Sequence, residues 1–154
     1  MQKETYIMDK KNFIQSKGNL IIVIGIFVVV TIVAIVNGNS GNASGTFDLG
    51  ETGMTIYGPE NYSMSFEFSD IEDISVVEDF VKGSAVSGGT KSGYDYGTWS
   101  SSEYPSYEVA ALSKVTTVIR VTTNDGGVYI FNFENATTTI NFKDSLVEYI
   151  ESHS

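Results

Sequence analysis

Tyr94, Tyr96, Trp99, Tyr104 and Tyr107 fall within one Gly- and Ser-rich stretch. Aromatic rings with carboxylates nearby suit sugar or peptide recognition, because the ring face packs while a polar tip fixes orientation. The stretch is therefore the candidate ligand-binding site. The same rings at alternating strand positions also suit a core, with Tyr94, Tyr96 and Trp99 filling the interior. A second constellation, Asp70, Glu72, Asp73, Glu78 and Asp79, supplies the oxygen donors that calcium takes but lacks an Asp-x-Asp-x-Asp-Gly loop. Carboxylates along the wet face of a strand account for it, and there they discourage pairing with another chain's edge.

Other chemistries are poorly served. The chain has no cysteine and a single histidine, His153, so thiolate catalysis, disulfides and Cys-based metal sites are excluded. A Ser-His-Asp reading would rest on His153, next to Ser154 in the C-terminal tail, and no Gly-x-Ser-x-Gly elbow exists to present a serine. His153 is expected in a disordered tail. No phosphate loop, dinucleotide fingerprint or His-Glu-x-x-His motif is present. No catalytic residue, metal site or cofactor is assigned, and the expectation is a protein that is not an enzyme. Hydrolysis by two carboxylates is the lesser alternative, because the sequence cannot choose which two would face a substrate. With 9 basic against 19 acidic residues, a net charge of −10 and pI ≈ 4.3, the surface repels phosphate backbones, so no nucleic-acid partner is expected.

The elements that would position these residues begin with a membrane segment. Leu20 to Val36 reads LIIVIGIFVVVTIVAIV, without a charge. As a helix it spans roughly 25 Å, close to the ~30 Å hydrocarbon core, and Phe13, Ile14 and a snorkelling Lys17 extend it. Lys3, Lys10, Lys11 and Lys17 precede it, and the next basic residue is Lys82. That asymmetry predicts residues 1–19 in the cytoplasm, a single span over 20–36, and everything beyond outside the cell. A cleavable signal peptide competes, with Gly41-Asn42-Ala43 as its cleavage region, but the apolar run exceeds the usual ~7 to 15 residues. Residues 37–45, NGNSGNASG, form a flexible tether. The exported part, 46–154, carries a net charge of −12.

Beyond the tether the apolar period drops to two, between turns rich in Gly, Pro, Asn and Asp, which is the pattern of strands. Strands are expected at Met54 to Tyr57, Tyr62 to Phe68, Ile74 to Val77, Ala85 to Ser87, Tyr94 to Trp99 and Tyr107 to Leu112. A hairpin is expected from Val115 to Thr123 and Val128 to Phe133, turning at Asn124-Asp125-Gly126-Gly127. In it Ile119, Val121, Tyr129, Phe131 and Phe133 alternate with Arg120, Thr122, Ile130 and Asn132, one face dry and one wet. After Asn135 the period moves toward 3.6: Phe142, Leu146 and Ile150 are four apart, so a C-terminal amphipathic helix is expected, with Thr137 or Thr138 as its N-cap and Asp144, Glu148 and Glu151 facing water. The fold class is mainly β, about seven strands in a bent sheet or barrel covered by this helix.

Three stretches carry a resemblance. They are Asp70-Ile71-Glu72-Asp73-Ile74, the glycine-punctuated Lys82 to Gly89 leading to Gly97-Thr98-Trp99, and the hairpin Val118 to Asn132 followed by the helix. Together they resemble the small pleckstrin-homology-like domains of Gram-positive bacterial membrane proteins, over roughly Met54 to Ile150. The resemblance implies a bent β-sandwich or barrel plugged by a C-terminal helix. The phosphoinositide pocket of eukaryotic members does not carry over, since only Lys82, Lys91, Lys114, Arg120 and Lys143 face seventeen acids. The functional expectation is a membrane-anchored, extracytoplasmic, non-catalytic binding or interaction module for a protein or cell-wall glycan. An accessory subunit of an envelope complex is the alternative, and a carboxylate-dependent wall hydrolase a lesser one.

Overall fold

The computed structural model describes residues 46–153. The expected cytoplasmic tail (1–19), membrane span (20–36) and tether (37–45) lie outside the described residues. Among the described residues no helix is long and apolar enough to cross a membrane. The described residues form β1 (Phe47–Leu49), β2 (Gly53–Tyr57), β3 (Ser63–Glu67), β4 (Ile71–Val77), β5 (Ser84–Ala85), β6 (Gly89–Lys91), β7 (Tyr94–Ser100), β8 (Tyr107–Leu112), β9 (Val118–Thr123), β10 (Val128–Phe131) and, besides two single-turn 3-10 helices, the α-helix α1 (Ala136–His153). It is a mainly β fold with a C-terminal helix, as expected; the strands number ten rather than about seven, and of the expected bent sheet, sandwich or barrel no barrel closes. The strands make two open sheets, β1-β2-β3 and β4-β9-β10-β8-β7-β5, with β6 pairing β7 beside β5.

Alternation builds the small sheet. Met54 and Ile56 on β2 pair with Phe66 and Met64 on β3, and all four are buried, whereas Thr55 and Ser65 meet on the other face through their hydroxyls at 2.9 Å. Each buried side chain of this size contributes roughly 1.5–3 kcal/mol. These residues close over Tyr94, Ala110, Ile119, Val121 and Phe131 of the large sheet to form the main core.

The large sheet departs from the expected dry-face, wet-face pattern. Ile130 is fully buried and Asn132 is 2% exposed, although both were expected on the wet face. The reason is a second, smaller core on the outer face, made of Trp99, Tyr107, Val109, Ala111, Val118 and Ile130. A central strand covered on both sides need not alternate in polarity. Strand β10 also ends at Phe131, two residues early, because Asn132 replaces ladder bonds with its side chain. Its Oδ1 accepts from the Leu112 amide at 2.7 Å, and its Nδ2 donates to the carbonyls of Leu112 (3.2 Å) and Val115 (2.8 Å).

The hairpin forms as expected, with Thr122 opposite Val128 and Gly126 at φ +87°. Strand β10 then inserts between β9 and β8, running parallel to β8 with Ile130 opposite Val109. Helix α1 buries Phe142 and Leu146, with Ile150 packed at the margin, and keeps Asp144, Glu148 and Glu151 exposed. Phe142 lies 4.9 Å from the Phe47 ring and 4.4 Å from Phe133. The cap is neither Thr137 nor Thr138. Asn135 Oδ1 accepts from the Thr138 amide at 2.9 Å, because the helix starts at Ala136, two residues earlier than a Thr137 cap would place it. The other end is also corrected: His153 belongs to the last turn of α1, where its ring stacks on Tyr149 at 4.2 Å.

Candidate functional site

The topology itself creates the site. Strands β4 and β5 lie at opposite edges of the large sheet, so the short segment between Val77 and Ser84 must cross the whole outer face. The crossing segment is a strap that turns at Glu78–Asp79, where Asp79 has φ +51°, before it runs over the sheet. Phe80 fixes one end, its amide donating to the Thr116 carbonyl at 2.9 Å and its ring meeting Tyr107 edge-on at 5.9 Å. Gly83 fixes the other: its amide donates to the Tyr107 hydroxyl at 3.2 Å. A Cβ on Gly83 would fall 1.7 Å from the Ser100 carbonyl oxygen, so only glycine allows this approach.

Between strap and sheet lies a cavity of about 110 Å³. Its floor is Val109, Val118 and Ile130, and Phe80, Trp99 and Tyr107 wall it. Lys82 and Asp95 close the rim, where Lys82 Nζ donates to Asp95 Oδ2 at 2.7 Å. The Asp95 side chain is only 5% exposed and that of Lys82 45%. Asp95 Oδ1 also accepts from the Thr90 hydroxyl. The Lys82 nitrogen lies 5.6 Å from the centre of the Trp99 ring, within cation–π range. Burial raises the pKa of the Tyr107 hydroxyl and Asp95 adds to the shift, while the Gly83 amide and Lys82 oppose it. The Ser113 hydroxyl also lines the cavity, and its oxygen is buried without a hydrogen-bond partner.

The five aromatic residues expected to form one recognition surface are divided by the pleat. Tyr94 is 1% exposed in the main core, so it presents no ring to a ligand. Tyr96 is half-buried and donates to Glu60 at 2.9 Å, close to the Tyr62 ring. Trp99 and Tyr107 are buried in the outer core, where both line the cavity. Tyr104 packs edge-on against Tyr107 at 6.1 Å, and its hydroxyl accepts from Arg120 at 2.8 Å and donates to Glu103 at 2.7 Å. No exposed five-ring surface exists; Trp99 and Tyr107 come together around a cavity instead.

Sequence reasoning missed Asp95, Lys82 and Phe80. A signal for Asp95 was present: it sits between Tyr94 and Tyr96 and shares the face of Trp99 by the period-two rule. Nothing local marks Lys82 or Phe80, which the crossing delivers.

A second polar group ties the two sheets together. Tyr62 donates to Glu108 at 2.5 Å and Thr98 donates to the same carboxylate at 2.7 Å. Burial first, and the bond to Glu108 second, push the Tyr62 pKa well above the usual tyrosine value. Nearby, Glu60 accepts from Lys91 and Tyr96, and these bonds hold its pKa below the usual carboxylate value. The acidic series Asp70, Glu72, Asp73, Glu78 and Asp79 is exposed throughout, with Asp73 paired to Arg120 at 3.2 Å. Among the described residues no three His, Asp or Glu side chains are grouped so as to hold a metal ion.

Fold and site together define a mainly β domain with one C-terminal helix and a strapped cavity on the outer face of its larger sheet. No family model, curated protein or solved structure matches the chain.

Proposed function

We propose that the chain is a non-catalytic binding module, held at the outer face of a membrane by residues 20–36 and displaying residues 46–154 outside the cell. The lysine asymmetry supports the placement. The strand-then-helix order is what supports a pleckstrin-homology-like reading of the domain. The observation that carries the binding reading is the cavity beneath the strap, apolar within and bounded by Trp99, Tyr107 and the Lys82–Asp95 pair. Apolar walls with a few convergent polar groups are the usual form of a ligand site. Its titratable groups are already engaged: Asp95 holds Lys82 and Thr90, and Tyr107 holds the Gly83 amide, which leaves the unpartnered Ser113 hydroxyl without a free base beside it. This favours recognition over bond-making, which needs a free base to activate such a hydroxyl.

Impermeant protease added to intact cells producing the chain should digest the β domain and leave residues 1–19 protected. Complete protection of the domain would overturn the placement.

A second reading, an accessory subunit of an envelope complex, is favoured by Val81 and Val86. They are 81% and 68% exposed on and just beyond the strap, apolar surface that a protein partner could cover. Cross-linking of the full chain in membranes should then recover one partner in stoichiometric yield, an outcome that Val81→Ser with Val86→Ser would reduce.

A further inference from the structure

We propose that the Asp95 corner of the cavity is a binding site for a linear primary alkylammonium group, and that Lys82 occupies it as a tethered stand-in. The inference rests on the binding reading above and names the chemistry of its ligand.

A carboxylate as buried as Asp95 requires a cation or several donors, and Thr90 supplies only one hydrogen bond. The Trp99 ring beside it favours an ammonium for the same reason it attracts Lys82. The charge of the whole domain points the same way, since a net of −12 beyond residue 36 concentrates cations and repels carboxylate ligands. Lys82 meets these needs without filling the space: the cavity of about 110 Å³ remains below it, over Val109, Val118 and Ile130. That volume is smaller than the ~150 Å³ of a cavity that holds benzene, so a short straight carbon chain suits it better than a ring. The unpartnered Ser113 hydroxyl offers a further polar contact in the same cavity.

Exchange asks little of the fold. The strap is pinned on both sides of Lys82 by the Phe80 amide on Thr116 and the Gly83 amide on Tyr107. The half-exposed Lys82 side chain can therefore rotate into solvent with the backbone unmoved. A free alkylamine and the lysine side chain of a partner protein share this chemistry.

The test uses the full chain in neutral detergent, with Trp99, its single tryptophan, as the reporter. Butylammonium, butan-1-ol and butanoate are titrated into the unmodified chain, Lys82→Ala and Asp95→Asn. Butylammonium alone should give a saturable change in Trp99 emission. Lys82→Ala should bind it about tenfold more tightly, because a tethered competitor acts at an effective concentration on the order of millimolar. Butylammonium should also restore the thermal midpoint that Lys82→Ala loses, and Asp95→Asn should abolish the response.

An equal response to butan-1-ol would overturn the ammonium site while leaving an apolar binding cavity. Weaker binding by a folded Lys82→Ala would overturn the stand-in role of Lys82. If Lys82→Ala does not fold unaided, refolding with butylammonium decides the matter: recovery supports the proposal and failure overturns it. Nα-acetyl-lysine methylamide run beside butylammonium separates the sources, since binding of both fits a protein lysine and binding of butylammonium alone fits a free amine. The protease experiment on intact cells is independent of these outcomes, so the placement of the module and its ligand chemistry fail separately.

Discussion

Tyr94 and Gly97 show how much single positions on β7 decide. The Tyr94 ring is 1% exposed, and burial holds its hydroxyl protonated well above the ordinary tyrosine value of 10.0. An acid whose pKa is raised on folding adds stability below its unfolded pKa and loses it as pH rises toward the folded one. Above about pH 10 the chain should lose about 1.4 kcal/mol per pH unit from this residue, so urea unfolding at pH 9 to 11 should show a loss shallower by that amount in Tyr94→Phe, where Tyr62 still contributes. Gly97 has φ +99°, and a Cβ there would lie 2.3 Å from the Ser87 carbonyl oxygen. Gly93, at φ +78°, has open space around it. Gly93→Ala should therefore cost about 1 kcal/mol for its backbone conformation alone. Gly97→Ala should cost more than that, up to about 3 kcal/mol, and thermal melts of the two variants separate strain from clash.

The helix start illustrates the element scale. The apolar spacing of Phe142, Leu146 and Ile150 made α1 legible and suggested Thr137 or Thr138 as its cap, but periodicity does not mark where the first turn begins. The geometry chooses Asn135 through the Thr138 amide. Thr139 then stitches helix to sheet, its hydroxyl accepting from the Phe133 amide at 3.0 Å and donating to the Asn135 carbonyl at 2.9 Å. Asn135→Ala should lower stability by about 1 kcal/mol, whereas Thr137→Ala, exposed and outside the capping bond, should stay within about 0.5 kcal/mol; chemical denaturation compares them. Strand boundaries failed for a related reason. Short β1 and β6 have too few residues to show a period, and β10 stops early because Asn132 satisfies Leu112 and Val115 from its side chain.

At the scale of the whole molecule, the two sheets, the helix and the strap depend on one another. Phe47, Phe131, Phe133 and Phe142 form one aromatic cluster drawn from the first strand, the hairpin exit and the helix. Ending the chain at Glu134 removes Phe142 and Leu146 and bares Phe47 and Phe133. Against a typical stability of ~5–15 kcal/mol, the loss of two large buried side chains with the packing around them should abolish cooperative thermal unfolding, as circular dichroism would show. The sequence by itself determined the mainly β class, the β9–β10 hairpin, the C-terminal helix and the acid balance, because period, turn residues and charge are local or additive properties of the chain. Tertiary structure alone decided that the sheets stay open, that the tyrosine stretch divides between two cores, and that Phe80 and Lys82 meet Asp95, Trp99 and Tyr107 around one cavity. Those outcomes follow from strand order: placing β4 and β5 at opposite edges forces the strap across the sheet, and no local pattern of residues encodes which strands become neighbours.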